Sequence, residues 1–580
     1  MLAPFVTTLN AESPPAIAHV TTAATSLDQQ LAGKTIRTIS ITLLPVFEET
    51  GDNIFYSGAN KLKMTTQEDV IRRELLFKVG EQTNEFTLRE SERVLRNLGY
   101  LRRIYMVPTF DGEFVDIEVR VQDTWTLIPQ VGVSSGSGNS RQSIGLSESN
   151  IAGLGKRIEL LYEEEENRET IEAVWDDNRV LGSDQSFLAA YFTRSDGDRL
   201  VFAVARPLRS LLDRQSWRIA SDYGDTIGRL FEAGEERYIF RQRNQRISSS
   251  YTTMRGDPSI SARRFSLGYE YAEDEFLQAN AQDYQDLDLD PTEVSNDKAL
   301  LPGDRRFTGP LFAYEQIEPD FIAMNYIDRF ERIEDYNLGE EYSFRMTLAP
   351  TLLGSARDAL LFSATRSGGM HTSSQGFLRG ELGLGSRIEP DGFTDTLARV
   401  ELKYYHVFGI QQLGRLYLGR HTFASSFFLD FGDDLDRDRE FTLGADNALR
   451  GYEARTFVGD KRFAINIEDR VHLADDVFRL VSVGAAVFVD GGAASREPLG
   501  TMLQDEFYSD VGVGLRFAFP RSTGGRVLRV DLAYPLREGD DGSQRFELRI
   551  LFSGGQLFNS QLRSESLGRD SANVAVGFDR

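Results

Sequence analysis

A chain of 580 residues with no Cys, five His and a formal net charge of −24 excludes several classes at once. It has neither a disulfide framework nor a thiolate metal site, little material for a His-rich metal centre, and, at a pI near 4.8, a charge that argues against nucleic acid as a partner. No run of 18 or more apolar residues is present, so no transmembrane helix is expected; an apolar fraction of 41% with 51 Gly suits either a large soluble all-β protein or a membrane barrel whose strands alternate lipid-facing and lumen-facing residues.

Residues 1–33 form a leader. Residues 1–6 are apolar but too few for a secretory core, and the first basic residue is Lys34; the segment reads as the tail of a signal peptide or as a plain flexible leader. Residues 34–125 read as an α+β module in the order β-α-α-β-β. Ile36, Ile39 and Ile41 lie in a β-rich run that ends at Pro45-Val46-Phe47. Thr66-Gln67-Glu68-Asp69 has capping-box spacing and opens a helix whose apolar stripe is Val70, Ile71, Leu75 and Leu76. A second helix begins near Thr87, carries Leu88, Val94, Leu95 and Leu98, and stops at Gly99. Two strands follow, the second alternating Val115, Ile117, Val119 and Val121, with Asp111-Gly112 as a hairpin-turn signal between them.

From residue 126 to 553 helical periodicity fades and short alternating segments recur. Segment 546–552 is the clearest, with Phe546, Leu548, Ile550 and Phe552 on one face and Glu547 and Arg549 on the other. The charge set Glu468, Asp490, Arg516, Arg529, Asp531, Glu547 and Arg549 recurs on the side opposite the apolar residues. That favours an antiparallel transmembrane barrel with a polar lumen over a sandwich, which would present all of these to solvent. Some connections are very short, such as 152–155, and others long and acidic, near 275–305 and 430–448, matching short periplasmic turns and long outer loops. The expected strand count is about 16, with a permissive count near 20. Residues 554–580 form a Gly-, Ser- and Asn-rich C-terminal extension.

The most informative pattern is Leu449-Arg450-Gly451-Tyr452 followed by Phe488-Val489-Asp490-Gly491-Gly492. Arg450 falls in a long polar loop. Glu468 and Asp490 fall in the alternating strands after it. An arginine fork gains most from carboxylates away from bulk water, so the pattern suggests a loop folded back and pinned inside something hollow.

These features resemble the BamA/TamA superfamily of outer-membrane assembly and translocation barrels over residues 34–553. The junction Arg96-Asn97-Leu98-Gly99-Tyr100-Leu101 resembles that of POTRA domains, periplasmic modules that bind unfolded or partner polypeptides and whose edge strands accept an added strand. The resemblance implies that Arg450-Gly451-Tyr452 is the family's Arg-Gly-Phe/Tyr motif at the tip of the sixth outer loop, docked in the lumen. Glu468 and Asp490 are then its partners, with Phe488 and Gly492 in the surrounding motif. It implies a weakly paired seam between a first strand containing Leu127, Val131 and Val133 and a last strand containing Phe546, Leu548, Ile550 and Phe552. At that seam, exposed edges template a client strand. The implied location is the bacterial outer membrane, with the module in the periplasm. The implied partners are outer-membrane lipids, unfolded or secreted client polypeptides, and periplasmic chaperones or accessory proteins. No nucleic acid, cofactor, metal or covalent chemistry is implied. One module is visible where BamA has several, and no plug helix is visible in residues 1–33. A solute or lipid channel without a protein client, and a surface protein whose module only tethers partners, are the alternative classes.

Two other patterns point to bland readings. Gly132-Val133-Ser134-Ser135-Gly136 matches a nucleophile elbow, but no helix is expected after it. Asp283, Asp286, Asp288 and Asp290 alternate as Ca²⁺ ligands can, yet without an EF-hand Gly or terminal Glu they read as a solvated acidic loop.

Overall fold

The computed structural model describes residues 27–47, 54–136, 139–165, 168–445, 447–525, 527–539 and 547–554. The leader before Leu27, the extension after Gly554 and Phe546 lie outside the described residues.

The N-terminal module contains β1 (Thr35–Leu44), α1 (Ile54–Leu62), α2 (Glu68–Glu74), α3 (Glu85–Asn97), β2 (Leu101–Asp111) and β3 (Phe114–Asp123). Its sheet order is β1-β3-β2, with β1 parallel and β2 antiparallel to β3. The alternating residues of β3 point into a core with Ile36, Ile71, Leu88, Leu95 and Leu101. Leu27 and Leu31 also pack there. Two expectations change. A third helix, α1, precedes the two foreseen. Thr66 does not cap α2; its N–H and hydroxyl go to the Asp123 carboxylate at 3.2 and 2.5 Å, a tertiary bond that wins over the local cap. The helix α3 is capped instead by Asn84, whose Oδ1 accepts from Thr87 N at 2.8 Å. Gly99, at φ +76°, ends the turn after it in a left-handed conformation that favours Gly.

The rest is one antiparallel sheet in chain order, closed on itself, from Leu127–Gly136 to Arg549–Gly554. Among the described residues it has twenty strands rather than about 16. Strands such as Glu235–Arg255 are polar along most of their length, so they carry little of the apolar alternation on which a count rests. Strand length varies around the barrel. The first six strands have 9 or 10 residues, Glu235–Arg255 has 21, Gly392–Leu413 has 22, and the closing strand has 6. Along Val481–Ser495 the alternation is explicit: Val487 and Val489 are exposed on the outside, while Phe488 and Asp490 are buried within. Ser134 of the elbow pattern lies within the first strand, which pairs residue for residue with Asn139–Glu148, so no strand-to-helix turn forms there.

The module sits against one end of the barrel through charged contacts to several turns. Glu74 meets Arg179 at 2.6 Å, Glu90 accepts from Leu211 N at 2.7 Å, and Arg96 and Arg102 reach Asp335 and Glu331 at 2.7 and 2.8 Å. Gly153, at φ +74°, is where barrel and module backbones touch; a Cβ there would lie 2.1 Å from the Thr65 carbonyl. Beside it Lys63 pairs with buried Asp123; burial pushes the ammonium pKa down and the carboxylate opposes that.

Candidate functional site: a loop pinned inside the barrel

Between Leu416–Asp433 and Lys461–Val477 the chain enters the barrel from the end away from the module. A short ribbon, Phe441–Leu443 paired with Phe457–Gly459, forms the neck of this loop. Its own apolar residues, Leu443, Ala448, Leu449, Tyr452 and Phe457, pack against Phe428, Ala464 and Tyr508 of the wall. Phe457 stacks on Tyr508 at 4.0 Å, and Tyr452 meets both rings edge-on.

Arg450 is the tip. It is fully buried, with Nε and Nη2 donating to the two oxygens of Asp490 at 2.7 and 2.8 Å and Nη1 donating to Glu468 Oε1 at 2.6 Å. Its guanidinium lies 3.4 Å from the centroid of the Phe488 ring. The fork geometry is specific to arginine; a lysine has one point charge and cannot make it. The next two residues fix the loop further. Gly451 N donates to Asp510 Oδ2 at 2.9 Å, and Tyr452 OH donates to the carbonyls of Ser509 and Arg537 at 3.0 and 2.9 Å. Gly451 sits so close to the wall that a Cβ would lie 2.5 Å from that of Asp510.

Register explains why the wall can receive the loop. Phe488 pairs with Gly512, and Gly514 pairs with Asp531. A Cβ at Gly512 would meet the Phe488 ring at 2.3 Å, and one at Gly514 would meet Asp531 at 1.9 Å. Those two glycines leave room for the aromatic floor under Arg450 and for the Arg516–Asp531 pair at 2.5 Å. Gly492 likewise permits close approach, a Cβ there lying 2.5 Å from the Phe463 carbonyl. The anticipated Arg450, Gly451, Tyr452, Glu468, Phe488, Asp490 and Gly492 are thus brought together around one loop tip.

Several residues of this network were not foreseen. Asp510 and Asn466 hold the loop backbone, Asn466 donating to the Ala448 carbonyl and to Asp490, both at 2.8 Å. Arg470 sits two residues from Glu468 on the same face, donates to Glu468 Oε2 at 2.8 Å, and donates to Asp328 at 2.8 Å. Asp328 belongs to a second inward segment, residues 318–340 at the module end. This segment contains the ribbon Phe321–Met324 with Glu334–Asn337 and buries Ile327 and Phe330. Its Glu331 pairs with Arg102 of the module, and Arg332 donates to the carbonyls of Gly99, Leu101 and Ser522 at 3.2, 3.1 and 2.9 Å. Burial lowers the Arg332 pKa to about 9, and the group is still cationic at neutral pH. An unbroken set of contacts therefore runs from the module through residues 318–340 and Arg470 to the loop tip. The signal for Arg470 and Asn466 is period two on the strand that holds Glu468; nothing local marks Asp328.

The anticipated seam residues divide. Leu127 is exposed at the start of the first strand, and Val131 and Val133 lie farther along it. Ile550 and Phe552 face outward on the closing strand, whereas Leu548 lies just before it. The closing strand begins at Arg549, so Glu547 is exposed and is not a lumen residue. Arg549 faces inward and reaches Glu453 of the pinned loop at 3.1 Å. Asp283 is committed to Arg241 and to the Asn280 backbone, and no cluster suited to a metal ion occurs among the described residues.

A closed antiparallel barrel with a polar interior, an inward-pinned arginine loop and an N-terminal α+β module defines the class of protein. The chain belongs to the Omp85 superfamily: residues 150–558 match the Omp85 superfamily domain. Among solved structures it is similar to BamA from Haemophilus ducreyi lacking POTRA domains 1-3, at 13% identity over 90% of this chain and 84% of that chain, with a TM-score of 0.38. It is also similar to CdiB from Acinetobacter baumannii, at 12% identity over 90% and 74% and a TM-score of 0.41, and to CdiB from Escherichia coli, at 10% identity over 90% and 76% and a TM-score of 0.43. No curated protein sequence gives a significant match.

Proposed function

We propose that this protein inserts or translocates polypeptides at the bacterial outer membrane. The N-terminal unit then serves as a POTRA-like periplasmic module that receives clients. The observation that carries this reading is the contact set at the closing edge. The pinned loop holds Asp490 and Glu468 on one side and, through Glu453, Arg549 of the closing strand on the other. One docked loop therefore ties the inner face of the last strand to the wall. That strand is the shortest in the barrel among the described residues, and its ladder with Val527–Pro535 spans six residue pairs. A short edge held by few bonds is where an incoming extended segment competes most easily for backbone partners. The short strands beside it also leave a lower apolar wall, and a thinned bilayer there reduces the cost of insertion. The path from module to loop tip through residues 318–340 and Arg470 lets client engagement at the module bear on loop docking.

The test is insertion of an unfolded outer-membrane polypeptide into proteoliposomes, with the full chain compared with one lacking residues 34–125. Faster insertion that depends on the module supports the reading. No acceleration alongside steady ion conductance overturns it in favour of a solute channel.

A further inference from the structure

The hairpin of Gly392–Leu413 and Leu416–Asp433 overshoots its neighbours at the module end. On one side its ladder with Gly376–Glu389 ends at the His406–Gly376 pair, and on the other its ladder with Lys461–Val477 ends at Arg420–His472. Beyond those pairs the two arms continue against each other as far as Leu413–Leu416. Register shifts at Val407/Gly409 and Gln411/Gln412, with positive φ at Gly409 and Gly419, bend the ribbon as it leaves the wall.

This tip is apolar on both faces. Phe408, Ile410, Leu413, Leu416, Tyr417 and Leu418 are all exposed, Leu413 by 71% and Leu416 by 60%. A contiguous set of this kind marks a surface that something covers. Its charge identifies the cover. In a chain with 89 acidic residues, none occurs from Leu402 through Leu429. Arg415 is exposed at the turn, while Arg420 is turned inward over the Tyr326 ring at 4.3 Å. Depth points the same way. The outer face of the wall, Leu402 and then the aromatic pair Tyr404 and Phe423, passes a polar band of His406 and the His421–Asp469 pair before reaching Phe408. Five further residues add about 16 Å along the strand, or about 12 Å along the axis at a tilt of about 40°. The headgroup layer beyond the hydrocarbon is about 5–7 Å thick on each side. A bent ribbon of that reach ends in or just past the headgroups.

We propose that residues 408–418 are an interfacial lipid anchor in the periplasmic leaflet, with Phe408 and Ile410 at the acyl boundary and Leu413, Arg415 and Leu416 among anionic phospholipid headgroups. The inference rests on the outer-membrane placement proposed above. Because the chain has no Cys, a single fluorophore can be placed by substitution. The test labels Ile410→Cys, the wall control Leu402→Cys and the module control Glu113→Cys, reads only the folded, heat-modifiable fraction in proteoliposomes, and adds phospholipid brominated in the acyl chain. Quenching at Ile410→Cys of at least half that at Leu402→Cys, with none at Glu113→Cys, is expected. Quenching at Leu402→Cys alone overturns the anchor and turns the ribbon toward a soluble partner. Quenching at neither overturns the membrane placement itself.

Discussion

The wall that receives Arg450 and the edge where the barrel closes adjoin, the last wall strand pairing with the closing one, and are built on opposite terms. At the wall, four strands supply Glu468, Asp490, Asp510 and Asp531, glycines make room, and one loop arginine is held by three hydrogen bonds and a further ion contact to Asp531 at 3.7 Å. At the edge, among the described residues, six residues of strand carry outward Ile550 and Phe552 and one inward arginine that reaches the loop. The first region is specified many times over; the second is specified mainly through the first. In the function proposed above, a barrel built this way keeps its fold while one edge exchanges partners.

The predictions break that contrast from its strong side to its weak one. Arg450→Ala leaves Asp490 buried without its cation and Glu468 with Arg470 and Arg516 only, and costs about 3–5 kcal/mol; the folded fraction in heat-modifiable migration should fall sharply, and Arg450→Lys should recover only part of it. Arg470→Met removes the link between Asp328 and Glu468 and should cost about 3 kcal/mol. Its distinguishing sign is that protease cleavage within residues 318–340 rises together with cleavage in the pinned loop. Gly451→Val forces a side chain into Asp510 and should lower the denaturation midpoint by an amount equivalent to about 1–3 kcal/mol. Tyr452→Phe loses one hydroxyl donor to two carbonyls and should cost about 1 kcal/mol in urea unfolding. Glu453→Gln removes a partly exposed pair, so stability should change by no more than about 1 kcal/mol; here the expected effect is faster client insertion, because the closing strand loses its tether.

How much of this was legible without coordinates follows from the physics of each residue. Arg450, Glu468 and Asp490 stand out because an arginine in a polar loop and carboxylates inside alternating strands are each costly unless they meet. Asp510 and Arg470 obey the same alternation, but which inward residues face each other depends on register across neighbouring strands, and that is not a local property. Residues 318–340 have no periodicity at all, so nothing marked them as a second inward segment joining the module to Arg470. The strand count fell short where lumen and wall residues are both polar, and Glu547 was misplaced because alternation runs on past the point where the ladder begins.

The most direct test of the central claim is photocrosslinking during client insertion, with a photoreactive residue at Ile550 or Leu127 at the closing edge and at Leu402 on the remote wall. Crosslinks to the client at the two edge positions and none at Leu402 are predicted. Insertion that proceeds with no edge crosslinks, or with equal crosslinking at all three, would contradict the account.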